Sequence, residues 1–175
     1  MSRLPASPAT ETAADLQFLK DAQPLKLRTT QIGRCGELLV QYRLLRLGVE
    51  SAAMTTDNGI DLVAYSPRDA KPKTIQVKTN LQAKPGGGKG KLAIDWWLPQ
   101  SSPAQLVALV DLKADKVWLL THGQMVELAQ QQPVGRLHLY MYTDSGYVPR
   151  RNMCHVRDFD QFLLEARVKS LFGGD

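Results

Sequence analysis

The chain is 175 residues long, carries 22 Lys and Arg against 17 Asp and Glu for a formal net charge of +5, and is 43% hydrophobic. That length and apolar content suffice for one sizeable core, so a single domain is expected, and a pI of about 9.3 favours a polyanionic partner. With no apolar run of about eighteen residues and no leader-like start, a soluble, cytoplasmic protein without membrane attachment is expected, while two distant cysteines, Cys35 and Cys154, and the scattered His122, His138 and His155 argue against a zinc site or a disulfide framework.

Residues 1–28, with Pro5, Pro8 and a scatter of Ala, Ser and Thr, have the composition of an arm rather than of core, and only Asp15 to Lys20 has the pattern of a short helix. Gln31 to Leu47 is predicted to be a helix, with Thr30 as N-cap and Gly48 in the C-cap position. Helical spacing puts Glu37 on one face with Gly33, Val40 and Leu44, a face expected to be buried. Apolar residues cover most of this helix, which predicts packing on more than one side. A buried carboxylate needs a partner, so Glu37 should meet a metal, a lysine or a hydrogen bond, and Arg34 or Gln41 on its own helix are the simplest candidates.

Gly59 to Tyr65 and the segment around Gln76-Val77-Lys78 are predicted to be strands. Alternation places Asp61, Val63 and Tyr65 on one face of the first, and Gln76 and Lys78 together on the second, away from Ile75 and Val77. Ser66 to Lys73, with two prolines and four charged residues, is a hairpin loop between antiparallel strands. Pairing Tyr65 with Thr74 would set Asp61 opposite Lys78 with Gln76 diagonal to both. A carboxylate, an amide and an ammonium would then share one small site, with Asp57 as a further carboxylate at its mouth.

The order of these pieces, Gly33-Arg34-Cys35-Gly36-Glu37 on a helix, then Gly59-Ile60-Asp61, then Gln76-Val77-Lys78, resembles the PD-(D/E)xK nuclease superfamily over residues 31–80. Within it the pattern is most similar to the branch of Holliday-junction resolvases and small restriction endonucleases. The resemblance implies that Asp61 and Glu37 bind Mg²⁺ or Mn²⁺ with the Val77 carbonyl and Gln76 as further ligands, and that Lys78 orients and activates water or stabilises developing charge. The departure is Gln76, where most members carry Glu or Asp, although a Gln-x-Lys variant occurs in some, including certain group I intron homing endonucleases. An amide oxygen can replace a ligand of a hard cation but not its charge, so weaker metal binding or a preference for Mn²⁺ is expected.

Beyond Lys78, Thr79 to Lys91 is expected to be a mobile basic loop whose Lys84, Lys89 and Lys91 would clamp a phosphate backbone. It is no phosphate-binding P-loop: that spacing needs Gly at 85, where Pro stands, and Ser or Thr at 92, where Leu stands. Trp96 and Trp97 should supply core or interface area, with one indole buried. Gln105 to Leu112, Lys116 to Leu120 and Leu137 to Tyr142 are predicted strands. Thr121 and Gln124 form a capping box for a short helix to Gln131. Arg150 and Arg151 sit in a loop able to meet DNA. Cys154 and His155 are adjacent, so on a strand they face opposite ways and cannot act as a thiol with its base. Asp158 should cap a C-terminal helix through Ser170 with Phe159, Phe162, Leu163 and Ala166 inward.

The expected architecture is α/β, a restriction-endonuclease-like single domain over residues 29–175 with a mixed central sheet flanked by helices. The expected function is a Mg²⁺- or Mn²⁺-dependent DNA endonuclease acting as a two-fold homodimer. Two alternatives stand beside it. One is a catalytically degenerate nuclease fold that binds DNA or protein, motivated by Gln76. The other is an α/β protein with a protein partner, whose polar strand face is only a hydrogen-bond network.

Overall fold

The computed structural model describes residues 26–56, 58–68, 71–88, 90–148 and 154–173. Most of the predicted arm, together with Asp57, Lys89, Arg150 and Arg151, lies outside the described residues. Among the described residues no helix is long and apolar enough to cross a membrane.

The first helix, α1, runs Thr29–Arg46 and starts earlier than Thr30 as a cap would allow. Its N-cap is Arg28, whose backbone N–H donates to Gln31 Oε1 at 2.8 Å, so a side chain from inside the first turn satisfies the residue before it. At the other end Leu47 is the C-cap and Gly48 follows at φ 77, with Gly48 N–H and Val49 N–H donating to Leu45 O and Leu44 O, each at 3.0 Å. This is a Schellman stop, in which glycine takes the left-handed position at no steric cost. Gly36, Val40 and Leu44 are the buried residues of α1. The prediction of packing on several sides is not met, because Leu38, Tyr42 and Leu45 are 50%, 57% and 59% exposed.

The chain then forms β1 (Glu50–Ala53), β2 (Leu62–Tyr65), β3 (Lys73–Asn80), β4 (Lys84–Pro85), β5 (Leu92–Pro99), β6 (Leu106–Asp111) and β7 (Lys116–Thr121). The helix α2 (His122–Leu128), β8 (Arg136–Tyr142), β9 (Cys154–His155) and α3 (Leu164–Leu171) complete it. The expected mixed central sheet is present, ordered β1-β2-β3-β6-β7, and the remaining strands form a second sheet, β4-β5-β8-β9, that was not expected. The first is mixed, since β3 and β6 run parallel while β1, β2 and β7 join antiparallel. Strand β6 is buried along its whole length and divides two cores by alternation. Leu106, Ala108 and Val110 meet Val40, Leu44, Leu62, Ile75 and Phe172, whereas Val107 and Leu109 meet Ile94, Trp96, Trp118, Leu137 and Phe159.

Several further differences have local causes. Residues Thr79 to Lys91 are not one open loop, because β3 extends through Asn80 and Lys84–Pro85 pairs with β5, followed by a 3-10 turn at Gly86–Gly88. Trp96 and Trp97 do split as expected, one buried at 2% and one exposed at 43%, since adjacent strand residues face opposite ways. The Thr121 capping box is present, with Gln124 N–H to Thr121 Oγ1 at 3.1 Å and Thr121 N–H to Gln124 Oε1 at 3.0 Å. The C-terminal helix is broken: Val156–Phe162 is 3-10, Leu163 is extended at φ −53 and ψ 139, and α3 begins after it. An isolated bridge from Leu163 to Trp118 on β7 accounts for the break, drawing the backbone into strand geometry.

The edge of β8 is closed in pieces. Gln130 Nε2 donates to Tyr140 O and Tyr140 N–H donates to Gln130 Oε1, both at 2.9 Å, while Gln131 bridges His138 and β9 pairs with Met141 and Tyr142. On the first sheet, Arg43 ties α1 to α3 and to the β6–β7 turn through Glu165 at 2.8 Å and Asp115 at 3.0 Å.

Gly36 fixes how closely α1 sits on β3. A Cβ there would stand 2.8 Å from both Cβ and Cγ2 of Thr79, a β-branched side chain with little rotamer freedom. Gly36→Ala should therefore destabilise by about 1–3 kcal/mol despite the roughly 1 kcal/mol that Ala ordinarily gains over Gly in a helix. Urea denaturation checks the sign, and adding Thr79→Ala should recover part of the loss.

Candidate active site

The site begins with the turn from β1 to β2. Met54 N–H donates to Asp61 O at 2.9 Å and Asn58 Oδ1 accepts from Ile60 N–H at 3.3 Å, closing the loop upon itself. Gly59 has φ +85, and a Cβ on it would lie 3.0 Å from Pro103 Cδ, so both backbone conformation and space call for glycine. Leu62 and Ala64 are fully buried beneath the sheet, as the alternation required. The strand itself is shorter than Gly59 to Tyr65, starting only at Leu62.

The register differs from the expected one by two residues. Val63, not Tyr65, pairs with Thr74, and Leu62 pairs with Ile75. Asp61 stands just before the first paired residue, and its backbone N–H reaches Ile75 O, so it does not lie opposite Lys78. A shift of two keeps the paired side chains of β2 and β3 on their predicted faces while changing their partners.

At Asp61 the ladder changes character. Its backbone N–H still donates to Ile75 O at 2.9 Å, but the next β3 donor, Val77 N–H, goes to the Asp61 carboxylate, at 2.6 Å from Oδ2. The carboxylate thus replaces the strand that has just ended and is fixed at the margin of β3. In an extended strand the N–H and C=O of one residue point to the same side, so the Val77 carbonyl faces the same margin.

Gln76 is 4% exposed, and its Oε1 accepts from Ser102 Oγ at 2.9 Å. Ser102 lies in the β5–β6 loop, which is pinned to the start of β3 by Thr74 N–H to Gln105 Oε1 at 3.1 Å and Gln105 N–H to Thr74 Oγ1 at 3.0 Å. Sequence reasoning misses Ser102: Ser101-Ser102-Pro103 looks like an ordinary turn, and only the parallel pairing of β3 with β6 brings it over Gln76. Lys78, half-buried, follows on the same face as Gln76.

Glu37 takes the simplest of its expected partners. Its Oε2 accepts from Arg34 Nη1 at 2.7 Å, and its side chain is 26% exposed. Among the described residues no three His, Cys, Asp or Glu side chains stand together as a metal-binding group. The donors at β3 are nevertheless the hard oxygens a magnesium-like cation takes, namely the Asp61 carboxylate, the Val77 carbonyl and the Gln76 amide, and the set fits such an ion with low ligand charge. Of the predicted DNA contacts, Lys84 is exposed on β4 and Lys91 pairs with Asp144 at 3.8 Å.

This fold, a mixed sheet with α1 on one face and the polar strand pair β2 and β3 inside it, is restriction-endonuclease-like. The chain is similar in structure to the bacterial homing endonuclease I-Ssp6803I, with a TM-score of 0.51 and 15% identity over 73% of this chain and 85% of that one. Hjc, a Holliday junction resolvase of the archaeal hyperthermophile Archaeoglobus fulgidus, aligns with a TM-score of 0.43 and 14% identity over 61% of this chain and 82% of its own. No protein-family model and no curated protein sequence matches the chain.

Ser102→Ala should leave the buried Gln76 oxygen without its donor and lower stability by about 1–3 kcal/mol, whereas Ser102→Thr keeps a hydroxyl and should cost less. Thermal unfolding of the two variants separates a lost hydrogen bond from a general disturbance of the loop.

Proposed function

We propose that this chain is a Mg²⁺- or Mn²⁺-dependent DNA endonuclease. The observation that carries the proposal is the Asp61 carboxylate held on Val77 N–H at 2.6 Å, which gathers oxygen donors at the margin of the strand bearing Lys78. Its restriction-endonuclease-like fold supports the same reading, as does the basic composition.

Asp61, the Val77 carbonyl and Gln76 would hold the cation, with Glu37 joining them if it exchanges Arg34 for the site. When bound, the ion supplies a Lewis acid for the phosphoryl oxygen. Lys78 would hold the attacking water by hydrogen bonding and offset the charge that grows on the phosphorus oxygens. The water oxygen would bond to phosphorus as the ester bond opposite it breaks, the water losing a proton to solvent and the departing ester oxygen taking one from solvent. Ser102 would keep the Gln76 oxygen aimed. Lys84, Lys89, Lys91, Arg150 and Arg151 remain the proposed backbone contacts. A two-fold dimer would present two such sites to the two strands of a duplex or to a junction, and the exposed Leu38, Tyr42 and Leu45 of α1 offer it an apolar face.

One observation favours a second reading. The Gln76 oxygen is already occupied by Ser102, so the chain could bind DNA without cutting it.

Incubation of labelled duplex, flap and four-way-junction DNA with Mg²⁺, Mn²⁺ or EDTA tests both. Cutting should need metal and fall at least a hundredfold in Asp61→Asn, which retains an oxygen for Val77 N–H but not the charge, and in Lys78→Ala. Gln76→Glu should strengthen Mg²⁺ dependence. Binding without cutting by the native chain in either metal would select the second reading.

A further inference from the structure

The second sheet has a face that its core does not explain. Alternation sends Ile94, Trp96 and Leu98 of β5 and Leu137, Leu139 and Met141 of β8 inward. The opposite set must face away, and the register places Ala93 beside Tyr142, Asp95 beside Tyr140 and Trp97 beside His138. An outward sheet face ordinarily carries short polar or charged side chains. Here it carries a line of rings: the Trp97 indole stacks on His138 with centroids 3.9 Å apart, and His138, Tyr140, Tyr142 and Tyr147 follow at 5.5, 5.9 and 4.6 Å.

The line borders a hollow. Lys84 pairs with Ala93, so the row Lys84, Ala93, Tyr142 has its smallest member in the middle, and the 3-10 turn at Gly86 raises a wall on one side. The cavity is about 390 Å³, a size suited to one nucleotide unit. Its chemistry is ordered from one end to the other. Asp95 and Gln131 hold the two nitrogens of His138, at 2.9 and 3.2 Å, Tyr140 and Tyr142 offer ring faces, and Lys84 supplies a cation at the rim. Burial first, and then Tyr147 and Tyr140, push the Tyr142 hydroxyl above the ordinary phenol range. A phosphate would be repelled from the Asp95 end and attracted to the Lys84 end, while a flat heterocycle with an amino group suits the carboxylate and the rings.

The hollow adjoins the candidate active site. Asn80 shares the β3 face of Gln76 and Lys78, and its side-chain amide donates to Asp95 O on β5. Two residues along a strand separate Lys78 from Asn80, about 7 Å.

We propose that this outward face binds single-stranded DNA, with one unpaired base in the hollow against Tyr140 and Tyr142, its amino edge on Asp95, and its phosphate on Lys84. Bases inside a duplex are already stacked and cannot offer their faces to these rings, so the site selects an unpaired or flipped base. The proposal rests on the nuclease reading only in taking DNA as the ligand.

Fluorescence anisotropy with a labelled oligo-dC strand, and with the same strand annealed to its complement, tests it on the full chain in EDTA, where nothing is cut. The single strand should bind more tightly than the duplex. Tyr140→Leu should weaken single-strand binding about tenfold while Tyr140→Phe, which keeps the ring, should not. Lys84→Ala, at an exposed position on β4, should reduce the slope of log affinity against log salt by about one and serves as the second handle if Tyr140→Leu melts early. Equal binding of duplex and single strand, or full binding by both Tyr140→Leu and Lys84→Ala, overturns the proposal. Metal-dependent duplex cleavage by the native chain, measured alongside, tests the nuclease reading separately: cutting without single-strand preference sinks this site alone, and preference without cutting sinks only the nuclease.

Discussion

One hydrogen bond, from Val77 N–H to the Asp61 carboxylate, determines how the rest of this molecule is arranged around its polar strand pair. A strand that loses its neighbour leaves a buried N–H without an acceptor, and an unsatisfied group of that kind costs on the order of 1–3 kcal/mol. Here the acceptor is a carboxylate from the residue just before the neighbour begins. Local stability and the placement of the carboxylate are therefore the same fact, and the tight turn at Gly59, the cover from Pro103 and the closure at Met54 all serve to deliver Asp61 to that position.

The rest of the polar set is built on different supports. Gln76 is positioned from above by the β5–β6 loop, which exists where it does because β3 and β6 are parallel and the chain must leave the first sheet, form β4 and β5, and return. The excursion that builds the second sheet is thus also what brings Ser102 over β3. Glu37 stands on α1, whose height above the sheet depends on Gly36 against Thr79, and its Arg34 partner keeps a half-buried carboxylate from standing alone.

Much of this was legible in the chain, and the divisions are instructive. Period-two alternation put Gln76 and Lys78 on one face of β3, and the capping residues at Thr121 and Gln124 located α2, because both signals depend on neighbours in sequence. The register did not follow, since Ser66 to Lys73 fixes only that a hairpin forms, while the packing of Leu62 and Ile75 into the core fixes which residues meet. Nor did the second sheet, whose pairings span from Lys84 to His155 and leave little local trace. The C-terminal helix was misjudged for a similar reason: Leu163 fits a helix by sequence, and only the Trp118 strand beside it draws it out.

The closure of β8 has a consequence for association. An uncovered strand edge is a row of unpaired donors and acceptors that another chain can join. On the second sheet one edge is β4, two residues long with a proline that lacks an N–H, and beside β8 the Gln130 side chain imitates a strand backbone where β9 does not reach. That sheet is guarded against edge-to-edge growth on both flanks. The first sheet keeps β1 at its margin, a short edge beginning at Glu50, next to the apolar outer side of α1. Among the described residues, the first sheet leaves backbone pairing open at β1 and along β7, where the one bridge from Trp118 to Leu163 interrupts an edge six residues long, so a strand joining from another chain would find its longest free run there.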